Sequence, residues 1–249
     1  MQLYFIRHGE SSNNVLWTST NGIDGRVSDP RLTEKGERQA QRVADYLVMP
    51  YEGSDPSADF HNTQGFGLTH LYCSFMTRAV QTATPIAQAL QLPLVAQPLI
   101  HEIHGIYKAH REGEKWRREP LAGEGRDYFE ATFPHLVLPD TLGNEGWWAH
   151  REENNRLAMQ RAAEFLAWVK ATHSADDHIA IVSHAGFYQA FMYALLSLSG
   201  NVTIPENGYP STIFNINNCA ITRVYFDGDF RAISYTNKVT HLPPELHTR

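Results

Sequence analysis

The chain has 249 residues, enough for one large α/β domain or two small ones, and its 42% apolar, 11% aromatic and 19% charged residues exclude a disordered or fibrous protein. A formal net charge of -6 argues against a nucleic-acid-binding surface as its main business, because such a surface needs a basic excess to replace counterions along phosphates. Two cysteines, Cys73 and Cys219, are too few for a disulfide framework and lack the short paired spacing of a zinc site, so both read as buried thiols in a reducing compartment.

Residues 2–6 are a short apolar, β-favouring segment that ends abruptly at Arg7, His8 and Glu10, as a buried parallel strand does where it delivers side chains to a site. The interruption comes too early for a signal peptide, and no run approaches a membrane span, so a cytoplasmic protein is expected. Thr33 caps a helix whose Ala40, Val43, Ala44 and Leu47 fall at i, i+3, i+4 and i+7 and which Pro50 stops. Residues 50–67 read as a surface excursion and 68–73 as a second strand. A helix then opens over 74–78, with a stripe of Ala79, Ala83, Ile86, Ala87 and Leu90 and a bend expected at Pro85; 94–96 is a third strand.

Between 105 and 150 charges mix with Gly, Pro and the aromatics Trp116, Trp147 and Trp148 without strand alternation, which predicts an inserted cap or helical subdomain at about 106–150. Helical period returns through Ala158, Ala162, Phe165, Leu166 and Val169, followed by a strand over 178–183, a helix over 187–198, and strands over 212–216, 220–226 and 230–235 with a turn at Asp227-Gly228. No internal repeat is visible. The pattern predicts a single α/β domain over 1–249: a three-layer sandwich, its mainly parallel sheet covered by helices on both faces, with an antiparallel edge and the inserted cap.

Arg7-His8-Gly9-Glu10 puts a cation and an imidazole at a strand end, followed by a glycine that lets the backbone turn tightly. A neutral imidazole can attack phosphorus, dividing one hard displacement into two easier ones through a phosphohistidine that water hydrolyses. Taken alone, His8 reads equally well as a strand-end histidine satisfied by hydrogen bonds. Arg78 lies near the start of a helix just after a strand, within reach of the sheet's C-terminal rim. Charge in phosphoryl transfer sits on three equatorial oxygens, so the planar forks of Arg7 and Arg78 can do there what Mg²⁺ does elsewhere; alone, Arg78 also reads as a surface charge. Val182-Ser183-His184-Ala185-Gly186 again runs a strand into a histidine before a helix, whose N-terminal donors add to an anion site. Two imidazoles at two strand ends are harder to dismiss as core histidines than either alone.

With Asn14 six residues after His8, Leu32-Thr33-Glu34-Lys35-Gly36 followed by Gln39-Ala40, and Arg78-Ala79 followed by Gln81-Thr82-Ala83, these segments resemble the histidine phosphatase superfamily, also called phosphoglycerate mutase-like, over most of the chain. The resemblance implies that His8 accepts the phosphoryl group while Arg7, Arg78, His184 and Asn14 hold its oxygens. It also implies that Glu102, in the loop after the third strand, gives a proton to the leaving alkoxide. Glu102-Ile103-His104-Gly105 departs from many relatives in having its glycine one residue closer, and Glu112 is an alternative acid. By itself Asn14 reads as a helix-face or turn residue.

His101, Glu102 and His104 lack the spacing of a helical His-Glu-x-x-His metal motif, so neither metal nor cofactor is expected. Lys108, His110, Arg111, Lys115, Arg117 and Arg118 form a basic stretch, read as a solvated helix face or as a grip on a second anionic group of the substrate. The expected activity is metal-independent hydrolysis of small phosphomonoesters with inorganic phosphate as product, without nucleic-acid or membrane partners; a homodimer is compatible with the sequence. The alternatives are a cofactor-dependent phosphoglycerate mutase and a phosphate- or phosphoprotein-binding scaffold without turnover. The Thr-Gly pair that the mutases place before their Asp is not evident near Gly25-Arg26-Val27-Ser28-Asp29.

Overall fold

The first strand, β1 (Gln2–Arg7), is buried along its whole length, which is why its sequence is a continuous apolar run rather than an alternation. The computed structural model describes residues 1–20, 24–53, 55, 58–148, 153–197 and 212–249. After β1 come α1 (Ser12–Thr20), α2 (Glu34–Leu47), β2 (His70–Cys73), α3 (Thr77–Leu90) and β3 (Leu94–Ala96). These are followed by β4 (Tyr107–Glu112), β5 (Lys115–Pro120), α4 (Arg126–Thr132), β6 (Leu136–Val137) and α5 (Asn155–Thr172). β7 (His178–Ser183), α6 (Ala185–Ser197), β8 (Ile221–Asp227) and β9 (Phe230–Lys238) close the described chain.

Among the described residues the main sheet has seven strands in the order β6-β3-β2-β7-β1-β8-β9. β6, β3, β2, β7 and β1 run parallel, while β8 and β9 form the antiparallel edge. Alternate side chains of β1 serve different layers. Tyr4 and Ile6 pack with Val43, Leu47, Val80 and Ala83 of α2 and α3, whereas Leu3 and Phe5 pack with Phe165, Val169, Phe187 and Phe191 of α5 and α6. Parallel neighbours need helical crossovers, and these cover both faces.

Thr33 caps α2 as its sequence predicts, its hydroxyl accepting from the Gly36 amide at 3.1 Å. α3 runs on through Pro85. Asp227-Gly228 makes the expected turn between β8 and β9, with Gly228 at φ +55°.

Two expectations are corrected. The basic stretch from Lys108 to Arg118 is not a helix face but the β4–β5 hairpin, a separate two-stranded sheet turning near Gly113. Nearly all of its residues are exposed, so nothing imposes the alternation that would reveal a strand. The strand expected over 212–216 does not form. There the Phe214 N–H donates to Gln189 Oε1 at 2.9 Å and its carbonyl accepts from Gln189 Nε2 at 2.6 Å, so a side-chain amide from α6 replaces the strand partner. Residues 149–150 of the expected insertion and the last residue of the helix expected over 187–198 lie outside the described residues.

Candidate active site

The parallel strands β1, β7, β2 and β3 end at one rim, the place where open parallel sheets gather ligand-binding groups. Arg7 pairs in register with Ser183, and the His8 amide donates to the Ser183 carbonyl at 2.9 Å. The imidazoles that follow the two strands are thereby brought side by side, with ring centroids 5.1 Å apart. Arg78 arrives from the first turn of α3, and β3 leads through a short turn to Glu102.

The partners of His8 fix its tautomer. Nδ1 lies 2.6 Å from the Gly9 carbonyl, which can only accept, so Nδ1 carries the proton. Nε2 keeps its lone pair and accepts from Arg78 Nε at 3.1 Å. Burial, reinforced by the charges of Arg78 and Arg7, holds the His8 pKa well below the usual 6.5, so the ring is neutral at neutral pH.

Arg7 donates through Nη1 to the Ile216 carbonyl at 2.7 Å, while its buried Nε has no protein partner. Burial pushes its pKa down to about 10, against the pull of Glu102, so it remains a cation at neutral pH. Arg78 Nη1 lies 3.6 Å from Asp29 Oδ1, and Asp29 Oδ2 in turn accepts from the Thr77 hydroxyl at 2.7 Å. His184 is fully buried with both ring nitrogens unpartnered, and burial foremost, then Arg78, keeps it neutral. An unsatisfied buried polar group costs roughly 1–3 kcal/mol, and the buried nitrogens of His184 and Arg7 beside His8 find no partner in the protein itself.

Glu102 lies at the N-terminus of α6. Its Oε1 accepts from the amides of Ile103 at 2.9 Å and Phe187 at 2.8 Å, and its Oε2 from Gly186 at 3.2 Å. Asn14 Oδ1 accepts from the Ser11 amide and hydroxyl, leaving the Nδ2 end for the cavity. Arg7, His8, Asn14, Arg78 and Glu102 line one cavity of about 140 Å³, several times the roughly 30 Å³ share of a water molecule. All six residues expected at the site therefore meet, His184 through its contact with the His8 ring. Glu112 does not: it is exposed on the hairpin and paired with Arg117 at 2.7 Å.

The neighbouring motif residues hold this arrangement together. A Cβ at Gly9 would stand 2.6 Å from the Gly36 carbonyl oxygen, and one at Gly36 would overlap the Glu10 carbonyl oxygen, so two glycines let α2 press on the turn after His8. Gln39 Oε1 accepts from the Glu10 amide at 2.7 Å, Thr82 Oγ1 from the Gly9 amide at 3.0 Å, and Gln81 Oε1 from the Leu32 amide at 3.0 Å.

Several contributors are not legible in the sequence. Ser11, Asn13, Trp17 and Arg26 also line the cavity, and the Arg26 guanidinium lies 4.7 Å over the Tyr107 ring. Beneath Glu102, Arg161 pairs with both Glu153 oxygens at 2.8 Å and donates to the carbonyls of Leu99 and His101. An arginine on the otherwise apolar face of α5 is the signal that could have found this brace. His101 and His104 are tied to separate partners, the Glu102 and Glu153 carbonyls. Among the described residues, the group whose ligating atoms lie within 4.8 Å of one another is His70, His173 and Asp177. It sits at the starts of β2 and β7, opposite the rim that carries His8.

Residues 3–238 match the histidine phosphatase superfamily, branch 1, and the chain belongs to this family. It is similar to the probable phosphoglycerate mutase GpmB of Cronobacter sakazakii, 32% identical over 130 residues covering 49% of this chain and 51% of that protein. The chain thus spans about half the length of the curated relatives it matches. Among solved structures, a mycobacterial glucosyl-3-phosphoglycerate phosphatase with VO3 superposes at TM-score 0.56 with 18% identity, covering 96% of this chain and 99% of that one. A mutant phosphoserine phosphatase from Entamoeba histolytica, in complex with phosphoserine, gives TM-score 0.54 and 20% identity over 97% and 99%. Bacillus stearothermophilus YhfR gives 0.55 and 20% over 96% and 98%. At these identities the superpositions speak for the fold.

Proposed function

We propose that the chain is a metal-independent phosphomonoester hydrolase working through a phosphohistidine on His8. One observation carries this reading: His8 is a buried, neutral imidazole whose lone-pair nitrogen meets Arg78 in a cavity that Arg7 also lines. Arg7, Arg78, His184 and Asn14 hold the phosphate oxygens, and the two guanidinium forks neutralise charge that grows in the transition state. His8 Nε2 attacks phosphorus and the P–O ester bond breaks. The leaving oxygen takes a proton from Glu102 in its acid form. Water then gives a proton to the Glu102 carboxylate and its oxygen attacks phosphorus; the P–N bond breaks, inorganic phosphate leaves and His8 is neutral again. Throughout, the Nδ1 proton stays on the ring, donated to the Gly9 carbonyl.

The test is a panel of phosphorylated metabolites assayed with and without chelator. Chelator-insensitive phosphate release, an acid-labile and base-stable phosphoryl adduct, and a loss of kcat of about 10⁴-fold or more in His8→Ala are expected. Turnover without an adduct would count against the covalent route. Binding with no turnover at all would favour the scaffold. The second reading, phosphoryl transfer between positions of a phosphoglycerate, is favoured by the names of the curated relatives. Efficient isomerisation of 3-phosphoglycerate with a bisphosphoglycerate primer and little phosphate release would establish it instead.

A further inference from the structure

A second cavity, of about 450 Å³, is lined by the residues that follow Glu102, which itself lines the phosphate pocket. The two share a wall. Glu102 lines the phosphate pocket; Ile103 and His104, which follow it, line the second cavity together with Gly186, whose amide donates to Glu102 Oε2. A Cβ at Gly186 would collide with Glu102 Oε1 and stand 2.6 Å from the Ile103 side chain, so the glycine keeps this junction open.

The walls are mainly apolar, with Ile103, Ala158, Met159, Ala185, Ala190 and Ile213, and the half-buried Asn155 at the start of α5 adds one neutral amide. Gln189 contributes no free polar end, because both ends of its amide are bonded to the Phe214 backbone. His104 donates through Nδ1 to the Glu153 carbonyl, 2.6 Å away, and burial lowers its pKa, which leaves it neutral. Among the described lining residues the ionised one is Arg118, exposed on β5 with its guanidinium 5.3 Å over the Tyr107 ring. The described interior of the cavity thus offers no buried cation to hold a carboxylate or a second phosphate, and an unpaired anion there would be desolvated at high cost.

Accepting the hydrolase reading above, on which this rests, we infer that the preferred substrates are phosphomonoesters of uncharged alcohols with an apolar body, which this cavity seats. A proton donor to the ester oxygen must lie between phosphate and alcohol, and Glu102 lines the phosphate pocket while the two residues after it, and Gly186 which donates to it, line the second cavity. A 150 Å³ apolar cavity takes up a benzene ring, so this one has room for a substituted ring or a branched chain.

Esters of alcohols with similar leaving ability separate binding from intrinsic reactivity. The panel is ethyl, 3-methylbutyl and 2-phenylethyl phosphate against glycerol 1-phosphate, phosphoserine and 3-phosphoglycerate. The expected result is a kcat/KM for 2-phenylethyl phosphate at least about tenfold above that for ethyl phosphate, in line with burial of a phenyl group, and higher still above those of the charged esters. Ala190→Trp, which fills the cavity, and Ile213→Asp, at a position exposed enough to spare the fold, should each cut the phenylethyl-to-ethyl ratio by at least about fivefold. Hydrolysis with equal efficiency for ethyl and phenylethyl esters, a preference for the charged esters, or a ratio unmoved in both variants would overturn the inference while leaving the hydrolase reading intact. Hydrolysis of none of the esters would overturn both.

Discussion

Arg78 does two things at once that only a guanidinium can do: Nε donates to His8 Nε2 while Nη1 faces Asp29 at 3.6 Å. A lysine has one nitrogen for both, so Arg78→Lys is expected to lower kcat/KM by about 100-fold or more with little change in stability, measured by steady-state kinetics beside urea unfolding. The positive charge also acts on His8, whose pKa is lowered first by burial and then by Arg78. In the proposed mechanism the nucleophile is the neutral ring, so the acid limb set by His8 should lie below pH 6.5. In Arg78→Ala one of the depressing charges is gone, and the acid limb of the kcat/KM profile should move to higher pH; an unmoved limb would show that it belongs to another group. At this scale Arg7, His8, Arg78 and His184 were legible because each sits where a periodic segment stops or starts, a position that needs no knowledge of distant contacts. Ser11, Arg26 and Asp29 were not. They belong to the turn after β1 and the stretch before α2, where no apolar period announces their placement, and only the fold brings Asp29 to Thr77 and Arg26 to Tyr107.

At the scale of elements, the site depends on how tightly α2 and α5 brace the turns that carry it. Gly36→Ala would drive a methyl group into the Glu10 carbonyl oxygen, and since backbone on both sides must shift, a loss of about 1–3 kcal/mol in urea unfolding is expected. The buried pair of Glu153 and Arg161 holds the carbonyls on either side of the turn before Glu102. Glu153→Ala strands Arg161 without its carboxylate and should cost about 3–5 kcal/mol; because Glu153 positions Glu102 rather than touching substrate, kcat should fall more than KM rises. The strands β1, β3 and β7 could be read from the chain since burial on both faces writes an unbroken apolar run. The β4–β5 hairpin could not, because exposure on both faces leaves no pattern at all. Residues 212–216 carry strand-favouring side chains, but side chains of α6 satisfy the backbone of Thr212 and Phe214, so propensity had no partner to express it.

For the whole molecule, burying three neutral histidines makes stability depend on pH. His8, His101 and His184 all have pKa values held well below 6.5, with burial the largest cause in each. The unfolded chain binds protons at these rings below about pH 6.5 and the folded one does not, so their contribution is fully present above that value and is lost as pH falls beneath it. Each histidine kept neutral should steepen the decline by about 1.4 kcal/mol per pH unit, visible as a falling urea midpoint between about pH 7 and pH 5; a flat midpoint would mean that the rings protonate in place. The layered sheet that buries them was readable in outline from alternating strands and helices, whereas the order of its strands was not, since register depends on contacts far apart in the chain. That order has a consequence for biosynthesis. β1 lies between β7 and β8, whose residues are made at least 171 positions later. At roughly 5–20 residues per second, the strand that carries His8 waits on the order of ten to thirty seconds on the ribosome with both hydrogen-bonding edges unpaired. A nascent chain must shield that strand until β7 and β8 emerge, so the rim beside His8 is assembled only after both have been made.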